Sequence, residues 1–182
     1  MKRSISLWQL MGFALTSLGG TVLHFLYDLL GNPIWAAPFS SVNESTWEHM
    51  KLIFWPMLIF AAVQSFFFKD VKEFWCVKSK GILLGLVLIP VLFYTYNGVI
   101  GRSPDWVNIV IFFISAAVTY IYETRSFNSK STVCKNPWIA ILLLCAIAVL
   151  FVVFTFVTPE IGIFKAPVTG SASPVLGKYG IT

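Results

Sequence analysis

Five long apolar stretches, separated by short connectors, constrain this chain more than any other feature. They run over Leu7–Leu30, Trp47–Phe68, Gly81–Ile100, Trp106–Tyr122 and Trp138–Val157. Each is close to the roughly 20 residues that a helix needs to cross a hydrocarbon core about 30 Å thick. Within such a core every backbone N–H and C=O must find its partner inside the segment, which selects helices at these lengths; barrel strands would be half as long. Only 12% of the residues are charged and 57% are hydrophobic, against about 25% charged in an ordinary soluble domain. The reading is an all-α, polytopic transmembrane bundle of five helices, a single integral-membrane domain over residues 1–182 placed multi-pass in the cell (cytoplasmic) membrane. The last segment, 159–182, is rich in Pro, Gly, Ser and Thr and is expected as an extended tail on the outer face.

The first stretch has the look of a signal peptide, since Lys2 and Arg3 precede it and Ala36–Ala37 resembles a cleavage site. Its apolar run is too long for such a segment and carries His24 and Asp28, so it reads as a retained span.

Basic residues set the orientation. Lys2, Arg3, Lys69, Lys72, Lys78, Lys80, Arg125, Lys130 and Lys135 fall on one side; Lys51, Arg102, Lys165 and Lys178 fall on the other. The positive-inside rule puts the N-terminus in the cytoplasm and the C-terminal tail outside. Trp8, Trp75 and Trp138 near one interface and Trp35, Trp47 and Trp106 near the other form the expected aromatic belts. The net charge of +5 is then a topology signal, so the bilayer is the expected partner and nucleic acid is not. Cys76 and Cys134 lie in cytoplasmic connectors, where thiols stay reduced, and no C-x-x-C spacing occurs.

Polar groups at membrane depth are costly and mark function by default. In the first stretch Ser17, Thr21, His24, Asp28 and Gly31 follow at helical steps on one face, and His24 and Asp28 stand four apart. The second stretch opens with Asn43-Glu44-Ser45-Thr46-Trp47-Glu48-His49-Met50-Lys51. Asn43 or Ser45 suits an N-cap, and Ser45 with Glu48 matches a capping box. Capping leaves the density of ionisable groups unexplained: Glu44, Glu48 and Lys51 share a helical face, with His49 beside it. Together His24, Asp28, Glu44, Glu48 and His49 supply three carboxylates and two imidazoles. That set suits a divalent metal ion or a proton-transfer pair, although neither H-x-x-x-H nor H-E-x-x-H spacing is present.

Tyr94, Tyr96 and Asn97 lie in the outer half of the third stretch, past Pro90, where a kink would free backbone carbonyls. In the fourth, Asp105, Asn108, Ser115, Thr119 and Glu123 fall on one face; Ser and Thr there commonly glue helices. Gln64 is expected to make an interhelical hydrogen bond, and the aliphatic fifth stretch to face lipid. The candidate ligand-binding residues are therefore His24, Asp28, Asn43, Glu44, Glu48, His49, Tyr94, Asn97 and Asn108.

The block Pro38–Lys51, with its Val-Asn-Glu-Ser-Thr-Trp-Glu-His-Met-Lys run, resembles the domain-of-unknown-function 6512 family of small bacterial membrane proteins. The likeness extends over nearly the whole chain, including His24 and Phe164-Lys165-Ala166-Pro167-Val168-Thr169-Gly170. In that family a Tyr-Gly pair follows soon after Thr-Gly; here Tyr179-Gly180 is displaced by Ser171–Lys178. The resemblance implies the membrane class and no activity.

Three readings stay open. One is a membrane-embedded outer-leaflet site for a small molecule or ion, permease- or receptor-like. Another is a hydrolase of membrane substrates, using metal-bound water or Ser45. The last is a non-catalytic subunit in which the cluster merely locks helices together.

Overall fold

The computed structural model describes residues 2–101, 104–129 and 136–166. Expectations for Arg102, Lys130, Cys134, Lys135 and the tail from 167 onward, and for the side chains of Lys2, Arg3 and Asp105, fall outside the described residues. Within them there are five α-helices and no strand: α1 (Lys2–Leu29), α2 (Thr46–Ser65), α3 (Phe74–Val99), α4 (Asp105–Asn128) and α5 (Pro137–Phe156). By length and composition α1, α3, α4 and α5 are each able to cross a membrane. The helix α2 falls short of that, because Glu48, His49, Lys51 and Gln64 dilute its apolar run. Those polar side chains turn inward: Glu48, Lys51 and Gln64 are all buried.

Four helices close a ring in which α1 packs on α2 and α4, and α3 packs on α2 and α4; α5 lies outside against α3. Leu52, Ile53, Phe54, Met57 and Phe60 of α2 form the middle of the main core with Ile82, Leu86, Phe112, Tyr120, Leu144 and Phe151. The surface is inverted relative to a soluble protein. Leu7, Leu10, Leu18, Phe25, Val87, Ile109, Trp138 and Leu142 are all exposed, as lipid contact requires. Close helix approach is set by small residues. A Cβ at Gly81 would overlap the Glu123 carboxylate, and one at Gly85 would press on Thr119 Oγ1, so the α3–α4 seam depends on this glycine pair.

Three helices extend beyond the apolar stretches that announce them, α1 beginning at Lys2 rather than Leu7. α3 begins at Phe74 rather than Gly81, and α4 continues past Tyr122 to Asn128. The added turns carry Lys78 and Glu123, which pair with each other at 2.6 Å and neutralise the charge that would otherwise end the spans. Both prolines inside helices, Pro56 and Pro90, are accommodated without a break.

Other expectations are revised. The start of the tail is docked: Gly162–Phe164 forms a 3-10 turn and the Phe164 ring lies 4.7 Å from that of Trp47. Gln64 makes no interhelical hydrogen bond, since both its amide atoms are buried without a partner among the described residues. The hydroxyls of Ser115 and Thr119 are likewise buried without one, so neither glues helices by hydrogen bonding. Cys76 is disulfide-bonded, not the reduced thiol expected of a cytoplasmic connector.

Candidate functional site

The connector between α1 and α2 builds the site. After α1 the chain reverses through Gly31 and Asn32, both at positive φ (79° and 63°), with the Asn32 N–H donating to the Tyr27 carbonyl at 2.8 Å. This places Gly31 past the helix end, off the polar face on which the sequence puts it. The connector is then pinned at four points. Trp55 Nε1 donates to the Pro38 carbonyl at 2.9 Å and Lys51 Nζ to the Ala37 carbonyl at 2.8 Å. The Ser41 N–H reaches the Leu23 carbonyl at 3.3 Å, and the Val42 N–H donates to Glu48 Oε2 at 2.9 Å.

The helix start follows the capping expectation in half. Ser45 is the N-cap and its hydroxyl accepts from the Glu48 N–H at 3.4 Å. The return bond comes from elsewhere: the Ser45 N–H donates to Asn43 Oδ1 at 2.8 Å. Glu48 is thereby free to bind Lys51 at 2.6 Å, both side chains fully or nearly buried. Lys51 completes its coordination on Thr155 Oγ1 of α5 at 3.2 Å. Three further hydrogen-bonded partners, the Ala37 carbonyl, Thr155 Oγ1 and the Val42 N–H, satisfy this buried pair, which clamps the connector to α2 and α5.

The pinned connector holds Glu44 above two imidazoles. Glu44 Oε1 lies 3.7 Å from His24 Nε2, and Glu44 Oε2 lies 3.6 Å from His49 Nε2. The three donor atoms sit within 4.8 Å of one another. Atoms held about 2.0–2.1 Å from a tetrahedral zinc ion stand about 3.4 Å apart, so only small movements separate this triangle from a metal-binding one.

The hydrogen bonding of His49 sharpens the point. Its Nδ1 lies 2.9 Å from the Ser45 carbonyl, which can only accept, so Nδ1 carries the proton. In the neutral ring Nε2 then presents a lone pair to the Glu44 carboxylate. Two acceptors facing each other at 3.6 Å call for a cation between them, either a proton on the ring or a metal ion. An imidazole oriented through a carbonyl on its far nitrogen is a recurring feature of metal sites.

Beside the triangle a cavity of about 150 Å³ is lined by His24, Glu44, His49 and Asn108 together with Gly20, Thr21, Phe25, Leu52, Ile109, Phe112 and Phe113. His24 and His49 side chains are 28% and 14% exposed, whereas Glu44 is 59% exposed. The centre thus stands at a mouth, not in a sealed core.

Of the residues singled out in the sequence, the structure brings together His24, Glu44, His49 and Asn108. Glu48 is taken up by Lys51. Asp28 is exposed and outside the cluster. Asn43 serves the turn before α2. Tyr94 and Asn97 do not line the cavity; Tyr94 is exposed, and Asn97 Nδ2 donates to the Phe93 carbonyl at 2.8 Å.

Sequence reasoning missed a second polar centre at the opposite end of the bundle. Lys78 Nζ, bound to Glu123 at 2.6 Å, also donates to Gln9 Oε1 at 3.4 Å. Its ammonium lies 5.4–6.0 Å from the ring centroids of Phe60, Phe74, Tyr120 and Phe127, within cation–π range. Tyr120 in turn shares a 2.7 Å hydrogen bond with Thr16. The glycines Gly81 and Gly85, one turn apart on α3, were the available signal that something bulky enters from α4.

Comparison with known proteins adds the family and nothing finer. No curated protein and no solved structure matches the chain. A family model matches residues 1–181, so this chain belongs to a family of unknown function, DUF6512.

Proposed function

We propose that this chain is a multi-pass protein of the cell membrane whose outer end binds a divalent cation through His24, Glu44 and His49. The observation that carries the reading is the facing pair of acceptors, His49 Nε2 and Glu44 Oε2, at 3.6 Å, with His24 Nε2 closing the triangle. Two imidazoles and one carboxylate form a borderline donor set that favours zinc over magnesium or calcium. Three protein ligands leave a fourth position, and the adjoining cavity gives a ligand a way to it. Placing this end outside rests on the basic-residue asymmetry alone. The asymmetry survives when the buried Lys78 and Lys51 are taken out of their respective sets, while the disulfide at Cys76 pulls the other way.

A second reading, a metal-dependent hydrolase, draws on the same open position, since a three-ligand zinc centre can hold an activated water. Ser45 gains nothing as a nucleophile, because its hydroxyl caps α2. The permease form of the first reading gains no support: Leu52, Ile53, Met57, Ile89, Phe112 and Ala116 belong to one buried apolar cluster. Elemental analysis of protein purified in zinc-containing buffer tests the proposal. One zinc per chain in the wild type, lost in His49→Ala and kept in Asp28→Asn, is expected. A metal-free wild type, or zinc that survives His49→Ala, would overturn it.

A further inference from the structure

The cavity beside the triangle carries one polar side chain among its apolar ones, Thr21, whose hydroxyl is already spent on the Ser17 carbonyl at 2.9 Å. His24, Glu44, His49 and Asn108 supply the polar groups at the triangle, while Gly20, Thr21, Phe25, Leu52, Ile109, Phe112 and Phe113 wall the remainder. A small hydrophilic ligand would leave most of this wall in contact with nothing. The opening is sideways. Phe25 and Ile109, on α1 and α4, are 62% and 57% exposed, and Thr21 beside them is exposed as well; on a bundle with an apolar surface, that direction leads into the hydrocarbon. Gly20 keeps the far wall flat, because a Cβ there would strike the Phe112 ring and the Leu52 carbonyl. The volume sets the size of the occupant: about 150 Å³ is the space that accepts a six-carbon ring in an apolar cavity.

From this we infer that the occupant is a single-chain amphiphile, with an oxygen-donor head on the cation at His24, Glu44 and His49. About six carbons of its hydrocarbon chain lie between α1 and α4. A lipid acyl group or a free fatty acid carries this chemistry, entering laterally from the bilayer without crossing water. The inference rests on the proposed cation site and adds the class of ligand that meets it.

The experiment uses two hydroxamic acids, which share one zinc-chelating head: octanohydroxamic acid with a chain and acetohydroxamic acid without one. Both are titrated calorimetrically into the full chain in lipid nanodiscs, zinc-loaded, as wild type, Ile109→Trp and Thr21→Trp. Each tryptophan fills the apolar part of the cavity from a different wall and leaves the three ligands in place. Comparing variants in the same bilayer cancels partition of the probe into lipid. Octanohydroxamate affinity is expected to fall about tenfold or more in both variants, as several methylenes lose their contact surface, while acetohydroxamate affinity and zinc content stay within about twofold. If both probes respond alike in both variants while zinc remains bound, the amphiphile is overturned and the cation site stands. If the wild type takes up no zinc, the cation site is overturned and the amphiphile falls with it. Mass spectrometry of lipids extracted from the purified wild type separates the two sources, esterified lipid or free fatty acid; an extract containing neither in excess over Ile109→Trp counts against the inference.

Discussion

The two ends of the bundle handle charge in opposite ways. At the end where α1 begins, Lys78 and Glu123 touch at 2.6 Å, both essentially inaccessible, with four aromatic rings around the ammonium. At the opposite end His24, Glu44 and His49 approach only to 3.6–3.7 Å and remain partly exposed beside a cavity. A buried charge that has already found its counter-charge has little left to offer a ligand, and removing one member strands the other. Charged or basic groups that converge without touching hold their binding capacity in reserve. The Glu48–Lys51 pair belongs with the first kind although it lies one helical turn from the second, so proximity in sequence does not decide which kind a residue is.

That contrast breaks if the Lys78–Glu123 pair proves dispensable. Lys78→Met strands the Glu123 carboxylate in the core and should destabilise the bundle by about 3–5 kcal/mol, read as a lowered thermal midpoint in detergent. The double change Lys78→Met with Glu123→Leu should recover most of that loss. Equal midpoints for the single variant and the wild type would show that the pair carries no weight.

The next effect sharpens the distinction between clamp and ligand. Glu48→Gln removes the counter-charge of Lys51 and weakens the hold on Val42, a loss of about 1–3 kcal/mol, yet zinc stoichiometry should stay at one. Loss of zinc in a folded Glu48→Gln protein would move Glu48 from the clamp into the ligand set. Conversely, His24→Ala or Glu44→Gln should lower zinc affinity more than the roughly 10- to 100-fold typical of outer-shell partners. The midpoint of the metal-free protein should shift by only about 0.5 kcal/mol equivalent, as for other surface changes. A large fall in the metal-free midpoint would reassign these residues to scaffolding. The smallest effect belongs to Asp28→Asn, which should alter neither zinc content nor midpoint.

Much of this architecture is legible in the residues, and the exceptions have physical causes. Apolar length announces all five helices, since lipid solvation is a property of local sequence. The helix ends are misjudged where two charges neutralise each other across α3 and α4, because Lys78 and Glu123 are separated by most of two spans in sequence. The cluster around Glu44 is visible as a density of ionisable groups, but its membership is not. A helical wheel puts Glu44 with Glu48 and Lys51; residue 44 precedes the helix, and the Asn43–Ser45 turn sends its carboxylate toward the histidines instead. Gln64, Ser115 and Thr119 show the converse failure: the sequence suggests polar groups that bridge helices, and the structure buries them without a hydrogen-bond partner among the described residues.

The cation site is tested most directly by X-ray absorption at the zinc K-edge of the zinc-loaded wild-type protein in nanodiscs. Two imidazole nitrogens and a carboxylate oxygen at about 2.0–2.2 Å is the predicted result. A shell of oxygen atoms alone, without imidazole scattering, would contradict the assignment of His24, Glu44 and His49 as the ligands.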